Sequence, residues 1–404
     1  MADDTKKWDR TEAKVRWSPE TLEAEIRGRV RQVIETLLEE EVAAVLGAAP
    51  SARVGDDRRG YRRGTRPRTL TTSSGPATIA VPRARVRDGA KTVEWRSEML
   101  PRYQRRTVRV DEAILGVYLA GSNSRRIRTA LAPLLRGGPL SKDAVSRLVG
   151  RLAEDFRSWQ ARDLADDQIR DLLLDGWYPK VRLGKRRVRV PVLVTMGVRA
   201  DGQRIVVDLR LAGEESAAAW RDVIQQLQAR HLGMPALAVI DGNPGLAIAL
   251  REAWPSLPLQ RCAAHKLRNL TAKAPARLRE EVAEDDRRVL YADTEALVRQ
   301  RRASFVKKWR LQCPAVVQSF EEAGDELFTF LCFPRSQWKA LRTTNALERI
   351  NEEFRRRTKT QASLPSQDAV LLLLFGLLRA GHIRVRKIDG WQEMPQVAAA
   401  AVAA

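Results

Sequence analysis

The chain has 404 residues, with 72 Lys and Arg against 50 Asp and Glu, a net charge of +22 and a pI near 10.7. This length, with 44% apolar residues, predicts two or three folded domains. The positive charge indicates a polyanionic partner, although RNA-associated proteins have a similar charge. Three cysteines exclude a disulfide framework, and the longest apolar run, residues 369–378, is too short to span a bilayer. With no signal-type stretch at the N-terminus, we expect a cytoplasmic protein without membrane association.

Residues 18–47 are predicted to form one helix, the main element of an N-terminal region 1–50. Ser18 is placed as its N-cap and Pro19 in its first turn, and apolar residues recur along one face before Gly47 ends the helix.

A strongly basic region, residues 51–109, follows this helix. Residues 51–110 hold 15 Arg and one Lys against five acidic residues, which is half of the net charge. Residues 58–70 are predicted as a Gly/Arg loop leading into a β-hairpin around Ser74, Gly75 and Pro76. We expect this region to bind DNA, and the alternative is a solvated basic linker. The candidate contacts are Arg58, Arg59, Tyr61, Arg62, Arg63, Arg66, Arg68, Arg83 and Arg85.

Residues 110–165 are predicted to be helical and to bind DNA or dimerise. An amphipathic helix, a Gly-Ser-Asn-Ser turn and a short helix precede a further helix that Ser141 caps. The spacing resembles a helix-turn-helix with a basic last helix, although ordinary helical hairpins give the same pattern. The candidate DNA contacts here are Arg125, Arg126, Arg147 and Arg151.

The pattern becomes α/β in residues 166–265. Three antiparallel strands followed by helix, strand, helix and strand is the order of a ribonuclease H-like core. The predicted elements are strands over 170–182, 188–198 and 204–211, a helix over 216–230, a strand over 236–241, a helix over 245–254 and a strand ending at Cys262.

The C-terminal part completes this core after an all-helical insertion. Residues 266–342 form the predicted insertion, residues 343–390 the second part of the core, and residues 391–404 a disordered tail. A helix over 345–357 carries further candidate DNA contacts, for which a solvated basic face is the alternative. These are Arg349, Arg355 and Arg356.

Three acidic residues, far apart in the sequence, have strongly marked local settings. Asp175 lies on the first predicted strand, Asp241 ends the strand over 236–241, and Glu348 lies in the first turn of its helix. The carboxyl ends of neighbouring parallel strands place two such carboxylates together, and a packed helix supplies the third. Singly, each has a structural alternative: Asp-Gly is a common turn pair, and Asn345 with Glu348 matches a capping pattern.

A second constellation, RCAAHKLRNL, places Cys262 and His265 at C-x-x-H spacing. A structural zinc site would need two further ligands, and the other cysteines do not have a paired spacing. We therefore expect Cys262 and His265 to support the acidic site, with Lys266, Arg268 and Asn269 as candidate phosphate contacts.

Together these motifs resemble the Mutator-type transposases of bacterial insertion sequences, a DDE group with a ribonuclease H-like fold. The resemblance runs from about residue 20 to residue 385. Its motifs, in chain order, are GYRRGTRPR, LPRYQRR, YLAGSNSRR, LLLDGWYPKVR, GEES with its following Trp and Leu, VIDGNPGLAIAL, QRCAAHKLRN and TTNALERINEEFRRR. One departure is Arg63, where the family pattern has Asn.

The resemblance implies that Asp175, Asp241 and Glu348 are the catalytic and metal-binding triad, with two Mg²⁺ or Mn²⁺ ions per active site and Cys262 and His265 as the family's C/D-x-x-H element. It implies nicking at the element's ends and joining of the freed 3′-hydroxyl to target DNA, without a covalent enzyme intermediate.

The implied partners are double-stranded DNA, both as terminal inverted repeats and as target, and a second copy of the chain on paired ends. No small-molecule substrate is expected, and the location is the cytoplasm of a bacterium, at the nucleoid. Two alternatives remain: a structure-selective nuclease without strand transfer, and a transposase-derived DNA-binding regulator.

Overall fold

A computed structural model of the chain describes residues 19–52, 59–89, 91–120, 124–136, 140–183, 185–360, 364, 366–383 and 385–394. The chain divides into two compact units: residues 1–118 with 123–148, and residues 119–122 with 149–404. The first boundary falls within the predicted region 110–165. None of the helices in the described ranges combines the length and apolarity that a membrane crossing requires.

The first unit contains a three-stranded antiparallel sheet with one long helix packed on it. Its sheet has the order β1-β2-β3. Leu38 of the helix packs with Leu70 and Ile79 of the hairpin, which gives this unit its own apolar core. The elements are α1 (Pro19–Leu46), β1 (Gly60–Thr72), β2 (Gly75–Asp88), β3 (Lys91–Glu94), α2 (Val108–Leu119), α3 (Ser124–Ala130), α4 (Ala132–Leu135) and α5 (Lys142–Ala161), the last continuing into the second unit.

Residues 60–70, predicted as part of a Gly/Arg loop, belong instead to strand β1. Its partner β2 pairs with it from Gly60 to Thr72, and the register shifts between Arg62 and Thr65. Gly64 lies at this irregularity with φ of +75°, a conformation that glycine adopts without strain. The glycines that indicated a loop therefore mark a bulge within a long hairpin.

The second unit is built on a five-stranded mixed sheet of order β10-β9-β4-β7-β8. Strands β4, β7 and β8 are antiparallel, whereas β9 and β10 lie parallel to β4 on its other side. The α/β class expected from the sequence is thereby confirmed. The strands are β4 (Ile169–Trp177), β5 (Lys180–Leu183), β6 (Arg186–Arg189), β7 (Val192–Arg199), β8 (Arg204–Leu211), β9 (Leu237–Ile240) and β10 (Leu259–Arg261).

Two predicted strands, 170–182 and 188–198, are each divided in the structure. Pro179 separates β4 from β5, and Pro191 separates β6 from β7. Proline lacks the N–H that a central ladder requires, so the chain leaves the main sheet at these points. The segments β5 and β6 pair with each other as a separate two-stranded hairpin.

Helices cover both faces of the main sheet. Successive side chains of β4 point to opposite faces, and each set packs against different helices. Leu172 and Leu174 pack with Trp220 and Leu246 from the helices that follow β8 and β9. On the opposite face, Trp177 packs against Phe354, with ring centroids 5.7 Å apart and the ring planes tilted by 41°. The helices are α6 (Ala217–Ala229), α7 (Pro244–Ala253), α8 (Ala263–Lys273), α9 (Arg279–Leu290), α10 (Glu295–Gln312), α11 (Pro314–Glu322), α12 (Arg335–Leu341), α13 (Asn345–Thr360) and α14 (Asp368–Arg379).

The C-terminal residues 391–394, placed in the predicted disordered tail, are folded. Met394 is buried. Trp391 begins a short 3₁₀ turn, and its side chain lies against Gly202. This apolar packing holds the segment on the second unit. The rest of the predicted tail, residues 395–404, lies outside the described residues, as does the predicted cap Ser18.

Candidate functional site

Asp175 lies near the end of the middle strand of the main sheet. Its side chain is only 6% exposed and accepts a hydrogen bond from Asn351 Nδ2 at 3.0 Å. Burial raises the pKa of Asp175 to about 7, with further increases from Asp241 and other nearby carboxylates and a partial offset from His265. Asp175 is therefore in the electrostatic field of several acidic groups.

Asp241 directly follows the neighbouring parallel strand. The register pairs Leu174 with Ile240, so Asp175 and Asp241 are the next residues on adjacent strands. Asp241 Oδ1 also accepts the backbone N–H of Asn243 at 2.9 Å. The turn role proposed for this Asp-Gly pair is thus present, and the carboxylate still lies at the sheet edge beside Asp175.

Glu348 lies in the first turn of α13, the helix that carries Asn351. Its two oxygens accept hydrogen bonds from the guanidinium of Arg268, at 2.7 and 3.0 Å. His265 Nε2 is 3.6 Å from Glu348 Oε1. The carboxylate therefore faces two basic side chains of α8 rather than closing a capping box with Asn345.

Cys262 and His265 lie where α8 begins, next to both the sheet and α13. The Cys262 N–H donates to Ile240 O at 2.7 Å, and the Thr344 N–H and hydroxyl both donate to Cys262 Sγ at 3.3 Å. The Ala263 N–H donates to Arg342 O at 2.8 Å. Cys262 thus ties the end of the sheet to the chain segment that precedes Glu348.

The Cys262–His265 pair is strongly polarised. Interaction with the Cys262 side chain is the largest cause that raises the pKa of His265 to about 9, with Asp175 and Asp241 adding to it against the effect of burial. Burial would raise the pKa of Cys262, but interactions with His265 and Thr344 outweigh it and lower this pKa below its ordinary value. The raised pKa favours the cationic form of His265.

Glu215, which belongs to the GEES motif, is a fourth carboxylate near this site that was not among the predicted site residues. A Cβ on Gly176 would lie 2.2 Å from its Oε2, so a larger residue at position 176 would displace the Glu215 carboxylate from its place beside the residue after Asp175. Tyr178 O–H donates to Glu215 Oε2 at 2.9 Å and Trp220 Nε1 donates to its Oε1 at 3.2 Å.

The pKa of Glu215 is raised, first by burial and then by Asp241, against hydrogen bonds that lower it. Ser216, the N-cap of α6, was the available signal in the sequence, since it fixes Glu215 immediately before a helix.

Most candidate DNA contacts have exposed side chains, but several are engaged within the protein. Arg62 donates to the carbonyl oxygen of Ala48, and Arg68 to that of Pro101. Arg58 and the side chain of Arg125 lie outside what the structure describes. Exposed candidates are Arg59, Tyr61, Arg63, Arg66, Arg83, Arg85, Arg126, Arg147, Arg151, Arg268, Asn269, Arg349, Arg355 and Arg356.

Lys266 is unsuited to the phosphate contact expected of it. Its side chain is 2% exposed, and its ammonium donates to Ser319 O at 2.8 Å and to Glu322 Oε2 at 2.6 Å. Lys266 and Arg268 are two positions apart on α8 and so lie on nearly opposite faces of the helix. Lys266 therefore points inward and Arg268 outward.

Comparison with known proteins decides the family. Residues 4–386 match the model of the Mutator family of transposases. The chain belongs to this family. Over 373 residues, the chain is 31% identical to the transposase for insertion sequence element ISRM5 of Rhizobium meliloti, covering 91% of this chain and 89% of that protein.

Two further relatives are covered to a similar extent. The chain is 35% identical over 344 residues to the transposase for insertion sequence element IS406 of Burkholderia multivorans, covering 84% of this chain and 85% of the relative. It is 29% identical to the transposase for insertion sequence element IS1081 of Mycobacterium tuberculosis, covering 91% and 86%. Asp175, Asp241 and Glu348 fall within the matched residues 4–386.

Proposed function

We propose that the protein cuts and joins DNA as a DDE transposase of an insertion sequence, with Asp175, Asp241 and Glu348 as its triad on a ribonuclease H-like core. The pairing of Leu174 with Ile240 carries this proposal because it brings the two aspartates to one edge of the sheet. The hydrogen bond from Asn351 to Asp175 supports the third member, since it packs the Glu348 helix against the same strand.

The donor set of this site fits divalent magnesium or manganese. Carboxylate oxygens are the ligands that these ions prefer. The raised pKa of Asp175 reflects first its burial and then its acidic neighbours, whose repulsion a cation would relieve. Asp175, Asp241 and Glu348 would hold two ions, which supply an activated attacking oxygen and a stabilised leaving oxygen. Among the described residues, no group of three or more His, Cys, Asp or Glu side chains is arranged in this conformation so that it could hold a metal ion.

The protein's own residues orient the reacting groups. In the proposed reaction water attacks a phosphodiester at the element's end, one P–O bond breaks and a 3′-hydroxyl is released. That hydroxyl then attacks a target phosphodiester, so one bond forms for each bond broken. Asn351 orients Asp175, and the cationic His265 limits the repulsion among the carboxylates.

The first unit is the proposed binding region for terminal inverted repeats. Its hairpin presents exposed Arg63, Arg66, Arg83 and Arg85, which can follow a phosphate backbone. Two copies of the chain are proposed to act on paired ends, because each end must reach an active site.

The test is to incubate the protein with Mg²⁺, a fragment carrying candidate inverted repeats and a plasmid target. Nicked ends joined to the plasmid are expected from the wild type, and neither product from Asp241→Asn, although that variant still binds the fragment. Cleavage without joining would indicate a nuclease instead. Fragment binding with no strand chemistry in the wild type would indicate a regulator.

A further inference from the structure

Arg268 occupies both oxygens of the carboxylate that the proposed metal site needs. Its Nη1 is 2.7 Å from Glu348 Oε1 and its Nη2 is 3.0 Å from Glu348 Oε2. His265 approaches the same Oε1 at 3.6 Å. A carboxylate held by a guanidinium on both oxygens has lost the lone-pair directions that a metal ion would use most readily.

The guanidinium of Arg268 is free to exchange partners. Its side chain is 59% exposed, whereas that of Glu348 is 25% exposed. The neighbouring Asn269 is also exposed, so this turn of α8 is open to a ligand. Arginine binds phosphate in the same forked geometry as carboxylate, so a DNA phosphate can replace Glu348 without leaving the guanidinium unpaired.

The electrostatic balance of the site favours such an exchange. Asp175 interacts unfavourably with Asp241, Glu215 and Glu348, and Arg268 neutralises the last of these while no metal is bound. A divalent cation between the carboxylates takes over this neutralising role, and a phosphate takes over Arg268. The two ligands therefore assist each other.

We infer that Arg268 is a positioning residue that holds Glu348 away from metal until a DNA phosphate takes its guanidinium. This inference rests on the proposed function, because it assigns Glu348 to the metal site. It makes metal affinity depend on DNA, and by thermodynamic reciprocity DNA affinity depends on metal by the same factor.

The inference is tested by measuring Mn²⁺ binding to the full-length protein by calorimetry, first alone and then with a short DNA duplex of mixed sequence. The wild type is expected to bind Mn²⁺ about 10-fold more tightly with the duplex. Arg268→Ala is expected to show this tighter binding without DNA and to gain little from the duplex. Equal Mn²⁺ affinity of the DNA-free wild type and Arg268→Ala would overturn the inference.

Two further variants separate chelation from net charge. Arg268→Lys keeps the charge but loses the fork, so its DNA-free affinity is expected to lie above that of the wild type. Arg221→Ala is the matched control, because Arg221 forms a comparable two-bond contact with Glu252 at 2.7 and 3.1 Å. A rise in Arg268→Ala alone, with Arg268→Lys at the wild-type value, reduces the effect to net charge and contradicts the inference.

Asp241→Asn distinguishes a failure of this inference from a failure of the proposed function. If Asp241→Asn abolishes Mn²⁺ binding while the Arg268 variants behave as wild type, only the role of Arg268 is wrong. If Mn²⁺ binding is absent throughout, or is indifferent to Asp241→Asn, the proposed metal site is wrong and the inference falls with it. Thermal unfolding of each variant checks that all of them are folded.

Discussion

Asn351 donates a hydrogen bond to Asp175 that links α13 to the middle strand of the sheet across 176 residues of sequence. Both side chains are buried, so the contact fixes the orientation of a carboxylate that water does not reach freely. The Glu348 helix is thereby attached to the strand that carries the first aspartate.

Asn351→Ala is expected to lower the rate of strand cleavage by about 10- to 100-fold, the usual cost of removing a residue that orients a ligand. The loss arises because Asp175 becomes free to rotate, while DNA binding remains. Cleavage rate and duplex affinity should be measured together. Glu352→Ala, an exposed change on the same helix, is the control, and an equal loss in that variant would contradict the role of Asn351.

The pKa of Asp175 predicts a pH dependence of metal binding. Because this pKa is raised to about 7, the carboxyl binds a proton as the pH falls below 7 and must lose it to bind a cation. Mn²⁺ affinity is therefore expected to rise with pH up to about 7 and to level off above it. Each unit below that point should cost about 10-fold for one proton released.

His265 sets the position of this midpoint. Its charge lowers the pKa of Asp175, so His265→Gln is expected to move the midpoint of Mn²⁺ binding to higher pH. The measurement is a Mn²⁺ titration at several pH values in both proteins. A midpoint that stays in place or moves to lower pH in His265→Gln would show that the histidine charge does not lower the pKa of Asp175.

The two hydrogen bonds from Thr344 predict a stability difference between substitutions of Cys262. Cys262→Ala leaves a buried N–H and hydroxyl without their acceptor, at a cost of about 1–3 kcal/mol in the free energy of unfolding. Cys262→Ser keeps an acceptor at this position and should cost less. Denaturant unfolding of both variants tests this, and equal losses would mean that the contacts to sulfur contribute nothing.

Asp171 predicts a stability change of opposite sign. It is fully buried on β4, and burial raises its pKa to about 7 against the opposing effect of the Arg170 charge. An acid whose pKa is raised on folding favours the folded state below its unfolded pKa near 4, and this advantage is lost as pH rises through 7. At pH 8 the buried, charged carboxylate of Asp171 lowers the free energy of unfolding.

Asp171→Asn is therefore expected to raise the free energy of unfolding at pH 8 by about 1–3 kcal/mol and to change it little at pH 4. Thermal unfolding at the two pH values measures this. Asp208→Asn is the contrast, because the buried Asp208 accepts a hydrogen bond from Arg210 at 2.6 Å and its replacement should destabilise. A destabilised Asp171→Asn at pH 8 would contradict the assignment.

Local sequence patterns predicted the elements around the acidic residues well, since burial and side-chain period agree there. The apolar run in β4 and the apolar face of α6 are local signals, and both elements are present, although the predicted strand 170–182 continued past the end of β4. Residues 60–70 of β1 were predicted as part of a loop because their pairing with β2 and their packing against α1 are not visible in the local sequence. The glycine and proline residues of this segment favoured a loop over a paired strand in the sequence pattern.

The site was predictable in its acidic positions and not in its contacts. Asp-Gly after an apolar run marks a strand end, but no local pattern reveals that Arg268 meets Glu348 or that Glu215 lies against Gly176. Those contacts depend on how α8, α13 and the start of α6 converge on the sheet. The inward direction of Lys266 likewise follows from its packing near Glu322 and not from its composition.

The backbone hydrogen bond from Ala263 N–H to Arg342 O, with the Cys262–Thr344 contacts beside it, brings together the two ends of the helical segment between these residues. This segment therefore forms a closed loop. Positions 82 residues apart in the chain are neighbours there. Within that loop, α8 also determines the position of Glu348, because its His265 and Arg268 contact the glutamate. We therefore expect that helices after α8 can be lengthened, shortened or exchanged for others, as in a domain graft, with less effect on the glutamate than a change in α8.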